Sequence, residues 1–528
     1  MQPFSTIASG STPNVLPTTP PLAGIMLCVR LLLLAAAVGA DEVRYTGAVL
    51  EHEPYSSWES GGLAILQENA RIFLEHAALA RQQGADIMVF PEYGLTSTNL
   101  EGGDVLSLAQ VVPHPADQVV LCFLNQTSSH TQVLRELSCG AAQLKLYLVV
   151  DLIELVHCSP NQILDCPDVG YYLYNTQVVL DHCGALVARY RKKHLFLEPG
   201  FIPGDESDAT AVFTTDFGVT FTLQICFDIM YESPGLANVE GGVRDVAMST
   251  AWIDELPFLT APQMFRAWSA GLGVNLLVAN YHNTAKGMLG SGLFPGAPRQ
   301  LSSYTYDHNG GITLLVASLT TNTSTGHATR VSRPRKDLLE DGKQHEGAQQ
   351  KPQLQDMVFI HEDLSRYNHL LLEEAASSVT ASLCHNDGLC CNVSYTFPGN
   401  TSMTGHYMLL AYSGLVEKGG GVYSMYIQVC SVVFCLSDEV NSCARVEGED
   451  PPLASSFLLQ EVSGMFGTLH VFPSVMRRDL TLVSEHLWDF NSIPLSRDQR
   501  KTVIHVTGET GPLLSVTLMG RWYQRDLV

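Results

Sequence analysis

Hydrophobic and polar positions follow one pattern up to about residue 330 and a different pattern after it. In the first part, runs typical of buried strands, such as ADIMVFPEYG (85–94) and KLYLVVDLIEL (145–155), alternate with helical patterns. The clearest helical pattern, LAILQENARIFLEHAALARQQG (63–84), has apolar residues at helical spacing and ends at Gly84. Strands that alternate with helices predict an α/β domain built around a buried sheet.

The same two periodicities predict the other elements of this first part. A second helix is predicted over FLTAPQMFRAWSAGLGV (258–274). The segment 174–196 has the pattern of a hairpin, with a turn near His182–Gly184. The remaining predicted strands are GAVLEH (47–52), VTFTLQICFDI (219–229), VRDVAMSTAWIDELP (243–257, which runs into a loop) and NLLVANYH (275–282).

A charged segment without aromatic residues, 330–353, separates the two parts and is typical of a linker or exposed loop. Beyond it, short alternating stretches predict strands over 407–414, 422–435, 468–475, 479–487, 501–509 and 513–523. This region also carries six cysteines: Cys384, Cys390, Cys391, Cys430, Cys435 and Cys443. We therefore expect an N-terminal extension with a signal peptide (1–40), an α/β domain (41–329), the linker (330–353) and a smaller, β-rich, disulfide-stapled C-terminal domain (354–528).

Composition supports folded domains and narrows the partners. The chain has 528 residues, of which 46% are hydrophobic and 16% are charged, as in globular proteins. The formal net charge of −23 argues against binding to nucleic acid or to an anionic membrane surface, because both require a basic patch. No apolar run of ~18 or more residues follows the N-terminal segment, so we expect no transmembrane helix.

The N-terminal segment predicts export. The apolar run LLLLAAAVGA ends at Ala40, where small residues precede an acidic pair, as at a signal-peptide cleavage site. Translation starts either at Met1 or at Met26, just before this run. Thirteen cysteines and four N-x-S/T sequons fit an oxidising secretory route, with glycans expected at Asn125, Asn322, Asn392 and Asn400. The polar C-terminus GRWYQRDLV lacks the apolar tail that precedes a lipid anchor, so we expect a secreted protein.

Three polar residues stand at the carboxyl ends of predicted strands: Glu92, Lys192 and Cys226. In open α/β sheets, functional groups assemble at that edge. A partly desolvated carboxylate suits proton transfer, an ammonium suits stabilisation of a thiolate or an oxyanion, and a thiol suits nucleophilic attack. Taken singly, the same residues also fit a surface turn, a solvated hairpin arm and a half-cystine.

The distribution of cysteines weighs against a disulfide at Cys226. Cys183 and Cys226 each lie on a predicted strand without a local partner. The others group by proximity, six of them within the C-terminal domain and four as the pairs Cys122 with Cys139 and Cys158 with Cys166. None of these pairs has a second CxxC or HxxxH pair at the spacing of a zinc site, so we expect no metal.

The motifs FPEYGL (90–95), RYRKKHLF (189–196) and QICFDI (224–229), in this order, resemble the Glu-Lys-Cys pattern of the nitrilase, or carbon–nitrogen hydrolase, superfamily. A narrower resemblance is to the vanin and biotinidase family of secreted amidases. It rests on STAWIDELPFL (249–259), VNLLVANYH (274–282), GMLGSGLF (287–294), GLCCNVSY (388–395), YIQVC (426–430) and GRWYQRD (520–526). This resemblance implies a nitrilase-type four-layer α-β-β-α sandwich over 41–329, followed by the β-rich domain.

The resemblance also assigns roles to residues. It implies Glu92 as general base, Lys192 as cationic stabiliser and Cys226 as nucleophile, with the backbone N–H of Phe227 as a further oxyanion donor. The candidates for the substrate pocket are Trp252, Tyr281 and His282. It further implies ten cysteines in disulfides, a free or mispaired thiol at Cys183, and neither a metal nor a cofactor.

The activity implied by the resemblance is hydrolysis of a non-peptide amide through a thioester on Cys226. Pantetheine, cleaved to pantothenate and cysteamine, is the preferred substrate, and biocytin, cleaved to release biotin, is the alternative. A catalytically inactive secreted binding or adhesion protein on the same fold is a further alternative, against which the intact Glu92, Lys192 and Cys226 argue. A papain-like protease is disfavoured because Phe227 and Asp228 do not supply its motif. The motifs leave the oligomeric state open.

Overall fold

The computed structural model describes residues 42–101, 103–124, 128–159, 166–205, 211–297, 300–322, 358–397, 405–419, 421–446, 457–496 and 499–526. The expected signal segment 1–40, the linker 330–353 and the sequons at Asn125 and Asn400 lie outside the described residues, as does the side chain of Asn322. Asn392 is described and lies half-buried on a strand of the C-terminal domain. Among the described residues, no helix is both long enough and apolar enough to cross a membrane.

The first part of the chain forms two mixed sheets. Its strands are β1 (Glu42–Glu51), β2 (Ile87–Val89), β3 (Tyr147–His157), β4 (Tyr171–Leu180), β5 (Leu186–Arg191), β6 (Val212–Thr214), β7 (Thr220–Ile225), β8 (Asp245–Ser249), β9 (Glu255–Leu256), β10 (Asn275–Ala279), β11 (Gly292–Phe294), β12 (Ser303–Tyr304) and β13 (Thr313–Asn322). Within the described ranges, one sheet has the order β13-β1-β2-β3-β4-β5 and the other has the order β12-β11-β10-β8-β7-β6.

The helices of this part are α1 (Gly62–Gln82), α2 (Gln132–Leu144), α3 (Ala237–Glu240) and α4 (Ala261–Leu272). The longest, α1, buries Ile65, Leu66 and Phe73 at the three- and four-residue spacing of one helical face, and it ends just before Gly84, which has a positive φ of 87°. Helices α1 and α2 pack on the outer face of the first sheet, while α4 packs against β10 and β11 of the second.

The strands of the first sheet are buried on both faces. The register aligns Val49, Val89 and Val149 in one row, and this row packs into the core shared with the second sheet. The residues one position earlier in each strand pack instead against α1 and α2. Because successive side chains of a strand point to opposite faces, double burial requires continuous apolar runs such as those that predicted these strands. The resulting layer order is the α-β-β-α sandwich of the nitrilase fold.

The C-terminal part is a β-sandwich. Its strands are β14 (Ile360–His361), β15 (Asn368–Leu371), β16 (Ala375–Cys384), β17 (Cys390–Phe397), β18 (His406–Lys418), β19 (Tyr423–Cys435), β20 (Leu458–Phe466), β21 (His470–Arg477), β22 (Trp488–Pro494), β23 (Arg500–Val506) and β24 (Leu513–Arg521). In the described part of the chain, two antiparallel sheets have the orders β15-β18-β19-β24-β21 and β16-β17-β20-β23-β22. They share one apolar core, in which Val393 of one sheet and Leu409 of the other are fully buried.

Five disulfides join ten cysteines among the described residues. Two lie in the first part, Cys122–Cys139 and Cys158–Cys166, and three lie in the β-sandwich, Cys384–Cys390, Cys391–Cys430 and Cys435–Cys443. The predicted grouping is therefore confirmed. We expected a free or mispaired thiol at Cys183, and the free form is wrong, because Cys183 is disulfide-bonded in addition to these ten cysteines. This density of disulfides is typical of proteins that fold in an oxidising compartment outside the cytosol.

The two parts pack directly on each other. Strand β14 pairs with β9 in parallel, with Ile360 opposite Glu255. Helix α4 packs against β21 of the β-sandwich. The guanidinium of Arg521, which is fully buried at the end of β24, donates to the carbonyl of Met230 at 3.0 Å. The β-sandwich therefore supports the segment that follows β7.

Candidate active site

Three strand ends of the first part converge on one buried cluster. Glu92 follows β2, Lys192 directly follows β5, and Cys226 directly follows β7. All three residues are buried, with exposed fractions of 2%, 2% and 7%. Because these strands belong to the two facing sheets, residues far apart in the chain meet at one edge of the sandwich.

The Lys192 ammonium lies between two carboxylates. Its Nζ atom is 2.6 Å from Oε1 of Glu92 and 2.6 Å from Oε1 of Glu198. Burial disfavours the charged form, but the charges of Glu198 and Glu92 outweigh it and raise the pKa of Lys192 well above its ordinary value. Lys192 is therefore a fixed cation at neutral pH rather than a proton acceptor.

Both carboxylates are held by further donors. The Asn175 side chain donates to Glu92 at 2.8 Å and to Glu198 at 3.1 Å. The backbone N–H of Ala251 donates to the second oxygen of Glu92 at 2.9 Å, and the Tyr93 hydroxyl donates to Glu198 at 2.6 Å. Burial raises the pKa of Glu198, but Lys192 outweighs this effect, so that the pKa lies below its ordinary value. Each carboxylate of the cluster is thus held by several hydrogen-bond donors.

Cys226 lies at the start of a tight turn, Cys226–Met230. Its φ of 50° is unusual for a residue other than glycine, and such backbone strain concentrates at functional sites. Among the described residues it is the cysteine with a free thiol. Burial and the nearby charge of Glu92 raise the pKa of this thiol, and the opposing effect of Lys192 is smaller. The resting thiol is therefore protonated at neutral pH, and attack requires a base.

Asp228 holds this turn from inside. Its carboxylate accepts hydrogen bonds from the Tyr190 hydroxyl at 2.7 Å and from the backbone N–H of His194 at 3.0 Å. Because Asp228 is fully buried, its pKa is raised to about 7. The contacts tie the turn that begins at Cys226 to the segment that carries Lys192.

The substitution Asp228→Asn is expected to change the pH dependence of stability. Between pH values of about 4 and 7, the folded Asp228 binds a proton that the unfolded chain releases, since the folded pKa of about 7 exceeds the ordinary value. The wild-type protein therefore loses free energy of unfolding relative to the variant as the pH rises through this window, by on the order of 1 kcal/mol per pH unit. Denaturant unfolding at several pH values measures the difference. The exposed control Asp117→Asn keeps Asp228, so its difference in free energy of unfolding from the wild-type protein should not change with pH. If the difference from wild type changes equally with pH for both variants, the assignment is contradicted.

A pocket opens beside the thiol. Its wall is mainly apolar and is formed by Phe196, Cys226, Phe227, Ala251, Trp252, Ile253, Glu255, Leu259, Ile360 and Gly419. The last two belong to the β-sandwich, so both parts of the chain shape the pocket. Tyr423 of the β-sandwich packs against one of these wall residues, because its ring stacks on that of Phe227 with centroids 4.7 Å apart.

The three sequence-based pocket candidates have different surroundings. Trp252 lines the pocket, and its indole N–H donates to the carbonyl of Leu259 at 2.9 Å. Tyr281 and His282 are outside the residues that form this wall. His282 instead contacts Glu51 at 3.0 Å, and the Tyr281 hydroxyl points to the backbone of Tyr93 at 3.5 Å.

Sequence reasoning missed several residues of this cluster. Asp228 lies within QICFDI, so that motif held a signal that was not used, while Glu198 lies two residues beyond the end of RYRKKHLF. Glu255 lies within STAWIDELPFL and held the same kind of signal, whereas Asn175 lay in no such motif, and its contacts depend on strand pairing across the fold.

Comparisons with known proteins agree with this architecture. Residues 60–256 match the carbon–nitrogen hydrolase family, and residues 357–526 match the vanin C-terminal domain. The chain is 31% identical to a pantetheinase of Bos taurus, over 94% of this chain and 93% of that protein. It is 32% identical to a biotinidase of Takifugu rubripes, over 94% of this chain and 97% of that protein. The chain belongs to the vanin and biotinidase family.

This membership defines the class of reaction. A vanin-family chain with a carbon–nitrogen hydrolase domain is an amidohydrolase, and this protein is one. Among solved structures, a crystal structure of an amidase from Nesterenkonia sp. is 19% identical and covers 52% of this chain and 90% of its own, with a TM-score of 0.37. At that similarity it adds nothing to the assignment.

Proposed function

We propose that this vanin-family protein hydrolyses pantetheine to pantothenate and cysteamine through a thioester on Cys226. The observation that carries the proposal is a free, buried thiol that lines a pocket beside the cluster of Glu92, Lys192 and Glu198. Nucleophile, base and cation are the three groups that acyl transfer through a covalent intermediate requires.

In the first half-reaction, Glu92 accepts the thiol proton while the sulfur attacks the amide carbonyl. The raised pKa of Cys226 makes this base necessary, because little thiolate is present beforehand. Lys192 and the backbone N–H of Phe227 stabilise the oxyanion of the tetrahedral intermediate. Glu92 then gives its proton to the leaving amine, the C–N bond breaks, and the acyl group remains on Cys226 as a thioester.

In the second half-reaction, water replaces the amine. Glu92, again a carboxylate, accepts a proton from the attacking water, and the same donors stabilise the second oxyanion. The C–S bond then breaks, the sulfur regains its proton, and the acid leaves. Lys192 stays protonated throughout, which agrees with its raised pKa.

We prefer pantetheine to biocytin because pantetheinase is the commoner activity within the family, and the triad does not separate the two substrates. The similar proteins include pantetheinases from Bos taurus and Homo sapiens, but also biotinidases at comparable identity. Both substrates contain a linear secondary amide, so the catalytic cluster treats them alike. The pocket wall beyond the thiol must therefore select between them.

We further propose that the protein is secreted with the domain limits 41–329 and 354–528, and that Asn392 is among its glycosylated residues. The disulfides within both parts support an oxidising route. The polar strand surface around Asn392, which includes the Ser382 hydroxyl at 2.6 Å, is accessible to a glycan.

A side-by-side assay of amine release from pantetheine and from biocytin tests the substrate proposal. We expect the wild-type protein to prefer pantetheine, and we expect Glu92→Gln to lower kcat by about 10²- to 10⁴-fold on either substrate, because the amide cannot accept the thiol proton. The control Glu59→Gln changes an exposed glutamate in the same way and should retain wild-type turnover.

Three results would change the proposal. A preference for biocytin would replace the substrate and keep the mechanism. Full activity of Glu92→Gln would remove Glu92 from the mechanism. Absence of turnover by the wild-type protein on both amides would favour the alternative of an inactive binding protein on this fold.

A further inference from the structure

One acidic residue stands among the mainly apolar residues that line the pocket. Glu255 lies on β9, lines the pocket together with the thiol, and is 5% exposed. A charged group in such surroundings is costly unless a partner compensates it. The catalytic steps described above do not use Glu255, so its presence in the wall calls for another role.

The compensating charge comes from the β-sandwich. Lys418, at the end of β18, is fully buried, and its Nζ atom is 2.8 Å from Oε1 of Glu255. It also contacts the carboxylate of Glu362, which in turn accepts a hydrogen bond from the Tyr367 hydroxyl. Burial disfavours the ammonium, but Glu255 and Glu362 outweigh it and raise the pKa of Lys418. Lys418 is therefore charged and fixes the position of the Glu255 side chain.

Glu255 retains free capacity to accept hydrogen bonds. Its second oxygen, Oε2, accepts the backbone N–H of Gly419 at the long distance of 3.3 Å. A carboxylate offers about four acceptor positions, and these two contacts leave room for a donor from the pocket. Lys418 is shared by Glu255 and Glu362, so a carboxylate of the ligand would be repelled at this position, whereas a neutral O–H or N–H donor can bind there.

The backbone around Glu255 is fixed by both parts of the protein. The N–H of Ile360 donates to the carbonyl of Asp254 at 3.0 Å, and the N–H of Glu362 donates to that of Leu256 at 2.9 Å. Gly419 has a φ of 62°, and a Cβ atom there would lie 2.6 Å from the ring of Phe196. Only glycine therefore fits at this close approach, and the wall is preorganised before a ligand binds.

We propose that Glu255 is a specificity-determining residue that accepts a hydrogen bond from a neutral O–H or N–H group on the acyl part of the substrate, with Lys418 as its positioning residue. The inference rests on the proposed amide hydrolysis and extends it. The acyl part is chosen because it stays attached to Cys226 through both half-reactions and so occupies the wall next to the thiol. The pantothenoyl group carries hydroxyl and amide donors, whereas an unsubstituted alkyl acyl group carries none.

The test compares pantetheine with N-butyrylcysteamine, which has the same leaving amine and no donor on its acyl group. For Glu255→Gln, we expect the ratio of kcat/KM between pantetheine and N-butyrylcysteamine to fall about 10- to 100-fold, because a charge-assisted hydrogen bond is lost. The loss should appear as a higher KM for pantetheine more than as a lower kcat. The control Glu417→Gln makes the same change on the exposed neighbour of Lys418 and should leave the ratio unchanged.

A second measurement separates this inference from the proposed function. Calorimetry of pantetheine binding to Cys226→Ala, with and without Glu255→Gln, needs no turnover. Weaker binding by the double variant, about 10-fold or more, supports the inference even if the wild-type protein cleaves neither amide. Equal binding by the two variants overturns it, and so does an equal loss of kcat/KM on both amides, which would mean that Glu255 only maintains the pocket.

Discussion

Replacing Cys226 with alanine is expected to abolish amide hydrolysis while the protein still folds. The free thiol lines the pocket, and loss of a nucleophile from a catalytic unit typically costs about 10⁵- to 10⁶-fold in kcat. The side chain is small and makes no disulfide, so the variant should lose only about 1 kcal/mol of stability. Amine release from pantetheine and biocytin measures the activity, and thermal unfolding measures the fold.

Cys226→Ser is the matched control for the nucleophile. It keeps the shape of the side chain but replaces a thiol with a hydroxyl that ionises poorly, so activity should also be lost. Mass analysis should show an acyl adduct on the wild-type protein and none on Cys226→Ala. If purified Cys226→Ala retains wild-type turnover, the proposed mechanism is wrong, whatever the substrate.

The largest expected effect on stability is that of Arg521→Met. The buried guanidinium donates to the carbonyls of Met230 at 3.0 Å and Tyr426 at 2.7 Å, and it pairs with Asp526 at 2.6 Å. Methionine fills the volume but removes the guanidinium from all three acceptors, of which the carbonyl of Tyr426 keeps the N–H of Trp522 at 3.1 Å. We expect a loss of about 3–5 kcal/mol in the free energy of unfolding, measured by denaturant titration.

Arg525→Met is the control for this change. Arg525 is exposed and contacts the Trp522 ring at 3.8 Å, so its loss should cost less than about 1 kcal/mol. Equal unfolding midpoints for the two variants would show that Arg521 does not hold the β-sandwich to the segment after Cys226. Met230 is the last residue of the turn that begins at Cys226. Arg521→Met should therefore also lower the activity under conditions in which the variant is still folded.

Much of the first part could be predicted because its signals are local. Helix α1 and strand β3 each extend over one strongly periodic or continuously apolar run, and the hairpin around His182–Gly184 contains its own turn residues. The motifs around Glu92, Lys192 and Cys226 could be placed at strand ends for the same reason. Their joint catalytic role stays a prediction until the variants above are measured.

Other features could not be predicted because they depend on distant partners. The expected strand over 479–487 is wrong: apart from an isolated bridge at Leu482, this segment is a loop. Its apolar residues are buried by tertiary packing rather than by strand pairing. Helix α2 was missed since its amphipathic pattern spans only Gln132–Leu144. The pairing of Glu255 with Lys418 had no local signal, because Lys418 lies 163 positions later in the chain.

The shared wall of the pocket matters for inhibitor chemistry. An electrophile that captures the sulfur and extends across Trp252 would end against Ile360 and Gly419, which the carbon–nitrogen hydrolase domain alone does not possess. Compounds elaborated in that direction would gain selectivity over single-domain amidases, which offer the same reactive cysteine chemistry without this second surface.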